Sequence, residues 1–72
     1  MAIETDDIEP GAVFKGHHGG IREVITRYGS VITYRILKPG SVNDIVGTVR
    51  KGRARGMQEW AEMEITESRR VA

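Results

Sequence analysis

Four basic residues fall within six positions in the second half of the chain: Arg50, Lys51, Arg53 and Arg55. The planar fork of arginine matches phosphate oxygens, and each phosphate neutralised on a nucleic acid releases counterions. Gly52 and Gly56 would let the backbone approach a partner closely. The run predicts a basic loop over residues 51–56 that contacts nucleic acid or an acidic protein surface. A merely solvated charged surface is the alternative, and we give it equal weight.

A second group of candidates lies in the β-rich run Ile21–Lys38. If two strands pair across a two-residue turn at Gly29-Ser30, two arginines and a tyrosine share the outer face of that hairpin. Arginines around an exposed aromatic ring can hold a single strand by charge and stacking, although long charged side chains also simply cover an exposed sheet face. The predicted nucleic-acid or partner-binding residues are therefore Arg22, Tyr28, Arg35, Arg50, Lys51, Arg53 and Arg55.

Other residues that could take part in metal binding or catalysis do not form a recognisable site. His17 and His18 could bind a transition metal, but adjacent residues rarely converge on one ion, and no cysteine or nearby acid completes a ligand set. The serines lack a nucleophile context, and the glycines form neither a dinucleotide fingerprint nor a phosphate loop. We therefore expect no enzyme activity, no metal and no cofactor.

Length and charge limit the class of protein. A length of seventy-two residues predicts one small domain, and the absence of cysteine is consistent with a reducing compartment. The acidic N-terminus and the lack of a long apolar run predict a cytoplasmic protein without membrane contact. The net charge of +1 conceals acidic ends and a middle, residues 11–55, with nine basic residues against two acids. Such a small chain could also complete its core as a homodimer, and the sequence leaves that open.

The hairpin Ile21–Lys38 organises the predicted fold. A two-residue turn places Tyr28 opposite Val31, Ile25 opposite Tyr34, Val24 opposite Arg35 and Arg22 opposite Leu37. Burying the more apolar face then predicts a core that contains Ile21, Ile25, Ile32, Tyr34 and Ile36.

Turn signals mark the other elements. Pro10-Gly11 predicts a type II turn before a short strand, Ala12–Lys15, and Pro39-Gly40 ends the hairpin. Ile45–Arg50 is predicted to be a fourth strand bent at Gly47, and residues 16–20 a flexible loop. Met57–Thr66 fits either a helix or an edge strand; we favour the helix, with Trp60 as the core anchor that closes one end of the sheet.

Together these elements predict a mainly β (α+β) domain: a small curled antiparallel sheet of four to five strands, an SH3-like barrel, with a short C-terminal helix. The domain spans residues 8–66, between a flexible acidic tail, residues 1–7, and a frayed tail, residues 67–72. The run Pro10-Gly11, Gly20-x-Arg22-x-Val24, Tyr34 and Trp60-Ala61 resembles small uncharacterised SH3-like-barrel proteins of proteobacterial phages, prophages and plasmids. The resemblance implies an origin in a mobile element and a binding role.

The sequence thus predicts a non-enzymatic binding module for nucleic acid or a nucleic-acid-handling complex. The alternative, from another class, is a protein-interaction adaptor or a phage-type inhibitor that binds a host protein.

Overall fold

A computed structural model describes residues 3–65. Five strands form one antiparallel sheet in the order β4-β3-β2-β1-β5. This architecture confirms the predicted mainly β, barrel-like fold with a short helix near the C-terminus. In chain order the elements are a 3-10 turn at Thr5–Asp7, β1 (Val13–Gly16), a 3-10 turn at His17–Gly19, β2 (Ile21–Tyr28), β3 (Val31–Lys38), β4 (Val49–Arg53), α1 (Ala54–Trp60) and β5 (Ala61–Glu64).

The core lies between the concave face of the sheet and α1. Phe14 is its central aromatic residue, and Ala54 and Met57 bring the helix onto it. Burying these apolar side chains is the main force that curls the sheet around the helix. The fully or nearly fully buried members of this core are Ile8, Ala12, Phe14, Val24, Ile32, Tyr34, Ile36, Ala54 and Met57.

The central hairpin forms with the predicted two-residue turn. Gly29 has φ 61°, a conformation that glycine adopts without steric cost, and Tyr28 lies opposite Val31. Ile32, Tyr34 and Ile36 are buried as predicted. The predicted turn and the predicted inward face of β3 are therefore confirmed.

The predicted register is wrong beyond the middle of β2, because a β-bulge lies at Ile25. Val24, rather than Ile25, lies opposite Tyr34 and is buried, while Ile25 and Ile21 are only half-buried. Arg22 lies opposite Ile36 instead of Leu37. One extra residue in a strand turns every following side chain to the other face. Arg22 therefore leaves the face that carries Arg35.

The turn before β1 follows the prediction. The N–H of Ala12 donates to the carbonyl oxygen of Glu9 at 3.0 Å, and Gly11 at the third position has φ 92°. These features define the type II turn expected at Pro10-Gly11. β1 begins at Val13, one residue later than predicted.

The predicted loop at residues 16–20 is more structured than expected. Gly16 ends β1 and lies opposite Ala61 of β5. Its N–H donates to the carbonyl oxygen of Gly20 at 2.9 Å, which closes the connection into a tight turn. Gly16 and Gly20 are both buried, so small size is required at these positions rather than flexibility.

The fourth strand predicted at Ile45–Arg50 exists, but its predicted start is wrong. Gly47 has φ 89°, and the N–H of Thr48 donates to the carbonyl oxygen of Ile45 at 3.1 Å, so this segment is a turn rather than a bent strand. β4 starts only at Val49 and runs to Arg53. The predicted basic loop is consequently the end of a strand followed directly by α1.

Both interpretations of the C-terminal segment are partly right. The helix begins earlier than predicted, at Ala54, and ends at Trp60. Ala61–Glu64 then forms β5, which pairs with β1 at the edge of the sheet. Among residues 3–65, no helix has the length and apolarity needed to cross a bilayer.

The N-terminal residues that the structure describes contact the domain. Arg27 donates through its Nη1 to the carbonyl oxygens of Thr5 and Ile8, the latter at 3.0 Å, and Gln58 donates to the carbonyl oxygen of Ile3 at 2.9 Å. The frayed tail predicted for residues 67–72, and Thr66 at the end of the predicted helix, lie outside the described residues.

Candidate nucleic-acid interface

The convex side of β2, β3 and β4, here called the outer face, presents its residues in rows that the strand register defines. Tyr28, Val31 and Arg53 form the row nearest the hairpin turn. Residues in one row of a sheet point to the same side, with adjacent strands about 4.8 Å apart. The outer face consists of Glu23, Thr26, Tyr28, Val31, Thr33, Arg35, Val49, Lys51 and Arg53.

Tyr28 is the aromatic residue of this face. Its side chain is 78% exposed, and Val31 beside it is also exposed. Arg53 lies two strands away in the same row, a span of about 10 Å between backbones that a long arginine side chain can largely bridge. A flat apolar group could therefore rest on Tyr28 while an anion attached to it reaches Arg53.

Lys51 and Arg53 are the available cations of the outer face. Lys51 occupies the next row, opposite Thr33, and both basic side chains are exposed. Neither forms an ion pair with any residue between 3 and 65. Their charge is therefore available to an anionic partner.

Arg35 is on the outer face but is partly neutralised. Its Nη1 lies 4.0 Å from the Glu23 carboxylate, whose side chain is only 12% exposed. Glu23 is directly opposite Arg35 in the register. Arg35 therefore contributes less positive charge to a partner than Lys51 or Arg53.

Arg50 serves the protein's own loop. Its Nη1 lies 3.8 Å from the Asp44 carboxylate, and its Nη2 donates to the carbonyl oxygen of Asn43 at 3.2 Å. Asp44 in turn accepts a 2.9 Å hydrogen bond from the N–H of Gly40. Arg50 thus holds the connection between β3 and β4 in place through these contacts. The sequence alone predicts a different role for it, in partner binding.

Arg55 lies on the exposed side of α1, away from the rows of the sheet. Its Nε is 3.5 Å from the Glu59 carboxylate one helical turn later, and both side chains are largely exposed. Such pairs contribute little and exchange readily with solvent or a partner. Arg55 can support binding at the helix, but it is not part of the outer face.

Arg22 occupies a different place from the one that the sequence predicted. The bulge at Ile25 directs it to the concave side, where its guanidinium carbon lies 4.9 Å from the ring centre of Tyr34 and 4.0 Å from that of Trp60. Trp60 is half-buried and packs against the core, so it anchors the end of the sheet as predicted without being fully enclosed. Arg22 also borders a pocket of about 210 Å³.

Sequence reasoning missed an exposed apolar turn. Val42 is 99% exposed, and Ile45 and Val46 are also exposed. The sequence predicts a strand at Ile45 and Val46, and in a strand alternate residues would be buried. The signal that could have revealed the turn is Gly47, which has the spacing of a type II turn as well as that of a bulge.

The histidines do not gather metal ligands. His17 Nδ1 lies 3.0 Å from a carboxylate oxygen of Glu62 on β5, with both side chains exposed. No group of three or more candidate ligands occurs within residues 3–65. The His17–Glu62 contact links the turn after β1 to the edge strand.

No protein-family model, curated protein or solved structure matches this chain.

Proposed function

We propose that this protein is a non-enzymatic module that binds single-stranded nucleic acid through its outer face. Tyr28 would stack on a base, and Lys51 and Arg53 would contact the adjacent phosphates. The observation that favours this function is one face that carries an exposed aromatic ring and two cations that form no ion pair with any residue from 3 to 65. Stacking on aromatic side chains combined with basic residues along the backbone is the general means by which single strands are held.

The position of the cations at a sheet edge also supports this function. β4 ends the sheet on one side, so a strand of nucleic acid can pass along it without displacing another element. Lysine and arginine on an edge strand discourage pairing with a further β-strand. The same charges would therefore attract nucleic acid and protect the edge from aggregation.

The decisive experiment is a salt titration with labelled single-stranded oligonucleotides, followed by fluorescence anisotropy. The parent should lose affinity linearly on a log–log plot of affinity against salt. Lys51→Ser/Arg53→Ser should reduce the slope by about 1.4, since each single-strand phosphate contact contributes about 0.7. Tyr28→Ala should weaken binding by ~1–3 kcal/mol at every salt concentration and leave the slope unchanged.

A matched control removes two exposed lysines that lie outside the rows of Tyr28, Lys51 and Arg53, with Lys15→Ser/Lys38→Ser. This variant has the same net charge as Lys51→Ser/Arg53→Ser. It should retain most of the parent slope. Equal losses in both double variants would mean that only net charge matters, and a parent without salt-dependent affinity for DNA or RNA would refute the function.

The exposed apolar turn favours a second candidate, a protein-interaction adaptor or inhibitor. Clustered apolar side chains on a surface commonly mark a protein-binding site. Val42, Ile45 and Val46 would enter an apolar site on a partner whose acidic rim faces the basic outer face. Nothing in the turn itself requires three exposed aliphatic residues.

A photo-crosslinking residue placed at position 42, with position 15 as control, tests this candidate. Crosslinked products that form with a partner from position 42 and not from position 15 are expected. An excess of unlabelled parent protein should suppress them by competition, whereas an excess of the Val42→Ser/Ile45→Ser/Val46→Ser variant should not. Sedimentation of the parent over a range of concentrations identifies a second copy as the partner if a dimer forms and the triple variant abolishes it. Equal adducts at both positions, with a monomer throughout, would exclude the turn as an interface.

A further inference from the structure

The pocket beside Arg22 lies on the concave side of the sheet, between β3, β4 and α1. Its apolar walls come from Ile32, Tyr34 and Met57, and Arg22 and Arg53 contribute to its lining. Within residues 3–65, no acidic residue lines it. The register places the Arg53 side chain on the outer face, so Arg22 supplies the charge of this pocket, and such a cationic pocket favours an anion.

Arg22 has no partner for its hydrogen-bond donors among residues 3–65. It forms no ion pair and no hydrogen bond there, and its contacts with Tyr34 and Trp60 are to the ring faces. A guanidinium carries five N–H donors, and a half-buried charge without a counter-ion is costly. Stacking on two aromatic rings offsets part of that cost and holds the planar group in one orientation.

We propose that this pocket binds a phosphate monoester, with the Arg22 guanidinium donating to two phosphate oxygens. The planar arginine fork matches phosphate geometry and can form two parallel N–H···O bonds with one phosphate group. The pocket is smaller than the roughly 300–1,000 Å³ typical of sites that enclose a whole ligand. It therefore takes the phosphate group while the rest of the ligand stays outside.

The phosphate could belong to a free nucleotide or to the end of a nucleic-acid strand. Arg22 and the outer face lie on opposite sides of the sheet, so the role of Arg22 does not depend on the proposed function, although Arg53 of the outer face also borders the pocket. Trp60 is the only tryptophan of the chain and lies against Arg22, so its fluorescence reports directly on the pocket.

The experiment titrates the parent protein with inorganic phosphate and with AMP, using chloride at equal ionic strength and uncharged adenosine as controls. A saturable change in Trp60 emission with both phosphates, and none with the controls, is expected. A second arm compares one oligonucleotide with and without a 5′-phosphate. Tighter binding of the phosphorylated strand assigns the strand end as the source, whereas a response to AMP without that difference assigns the free nucleotide.

Variants connect the response to Arg22. Arg22→Gln should weaken AMP binding about tenfold, the loss expected for one strong charge-assisted contact, while Arg35→Gln on the outer face should change it less than about twofold. Arg22→Lys keeps the charge but not the planar fork and should lose most of the affinity as well. Melting curves show which variants remain folded.

The parent titration decides the case even if a variant does not fold. A parent that gives no saturable response to phosphate or AMP overturns the proposal. Full affinity in folded Arg22→Lys or Arg22→Gln overturns the role of the arginine fork.

Discussion

Replacing Gly16 with alanine should expel Trp60 from its position at the end of the sheet. A Cβ atom built on Gly16 lies 2.3 Å from Trp60 Cε2 and 2.4 Å from its Cδ2. Real Cβ atoms do not approach so closely, and Gly16 itself is fixed by pairing with Ala61. The indole ring must therefore move, and Arg22 loses one of the two rings on which it stacks.

The expected loss of stability follows from the displacement of Trp60. Overpacking at a well-packed site costs ~1–3 kcal/mol, and the lost cation–π contact adds ~0.5–1 kcal/mol. Trp60 is only half-buried, so the total should stay near ~2–3 kcal/mol, below that of a fully buried tryptophan. For a domain of this length, that corresponds to a melting temperature lowered by about 10–20 °C.

Gly56→Ala is the matched control. Gly56 lies inside α1, and a Cβ atom there meets nothing within 4 Å. Alanine is favoured over glycine in a helix interior, so this variant should gain about 0.5–1 kcal/mol and melt a few degrees higher. The same chemical change should thus have opposite effects at Gly16 and Gly56.

Thermal unfolding followed by circular dichroism gives both values, and Trp60 fluorescence gives an independent view of the ring. Gly16→Ala should shift the emission of the folded state to longer wavelength because the indole enters water. A Gly16→Ala variant that melts with the parent and keeps its emission would refute the close packing of Trp60 on the backbone.

Three further changes test the core and the loops by the same melting assay. Val24→Asp should unfold the domain because it buries an unpaired charge, whereas Ile25→Asp at the bulge should be tolerated with a smaller loss; the reverse order would contradict the bulge. Asp44→Ala should cost ~1–2 kcal/mol through the lost bond to Gly40 N–H, and Asp44→Asn, which keeps an acceptor oxygen, should cost less. Phe14→Ala should cost ~3–5 kcal/mol, and a cost below ~1 kcal/mol would show that Phe14 is not the centre of the core.

Local signals predicted the parts of the fold that local physics determines. Gly29 adopts the positive φ that a two-residue hairpin turn needs, and Gly11 does the same in a type II turn. The inward face of β3 follows from simple alternation of apolar residues. Each of these features depends on residues that are neighbours in the chain.

The errors arose where tertiary contacts decide between local alternatives. Gly47 suits a turn and a bulge equally well, and pairing of Val49–Arg53 with β3 selects the turn. The helical pattern continues past Trp60, but pairing with β1 draws Ala61–Glu64 into a strand. The sequence by itself is compatible with both local structures and does not give the free-energy difference between them.

In the candidate sites, too, properties of single residues could be predicted from the sequence, whereas contacts between distant residues could not. Lys51, Arg53 and Tyr28 could be identified because exposed cations and an exposed aromatic ring are visible as residue types. The engagement of Arg50 with Asp44 could not, since it depends on the path of residues 39–48. Nor could the stacking of Arg22, which depends on a bulge three residues away.

The bulge at Ile25 assigns the two halves of β2 to two different candidate sites. On the turn side of it, the register keeps Tyr28 in one row with Val31 and Arg53, so that half of the hairpin serves the outer face. Beyond it, the inserted residue brings Val24 into the core and turns Arg22 to the pocket. Without the bulge, Arg22 would join the outer face, and a buried position opposite Tyr34 would pass to Ile25. Because Arg22 and Tyr28 lie on opposite faces, substitution of one leaves the other as an internal control, whereas Arg53 borders both sites.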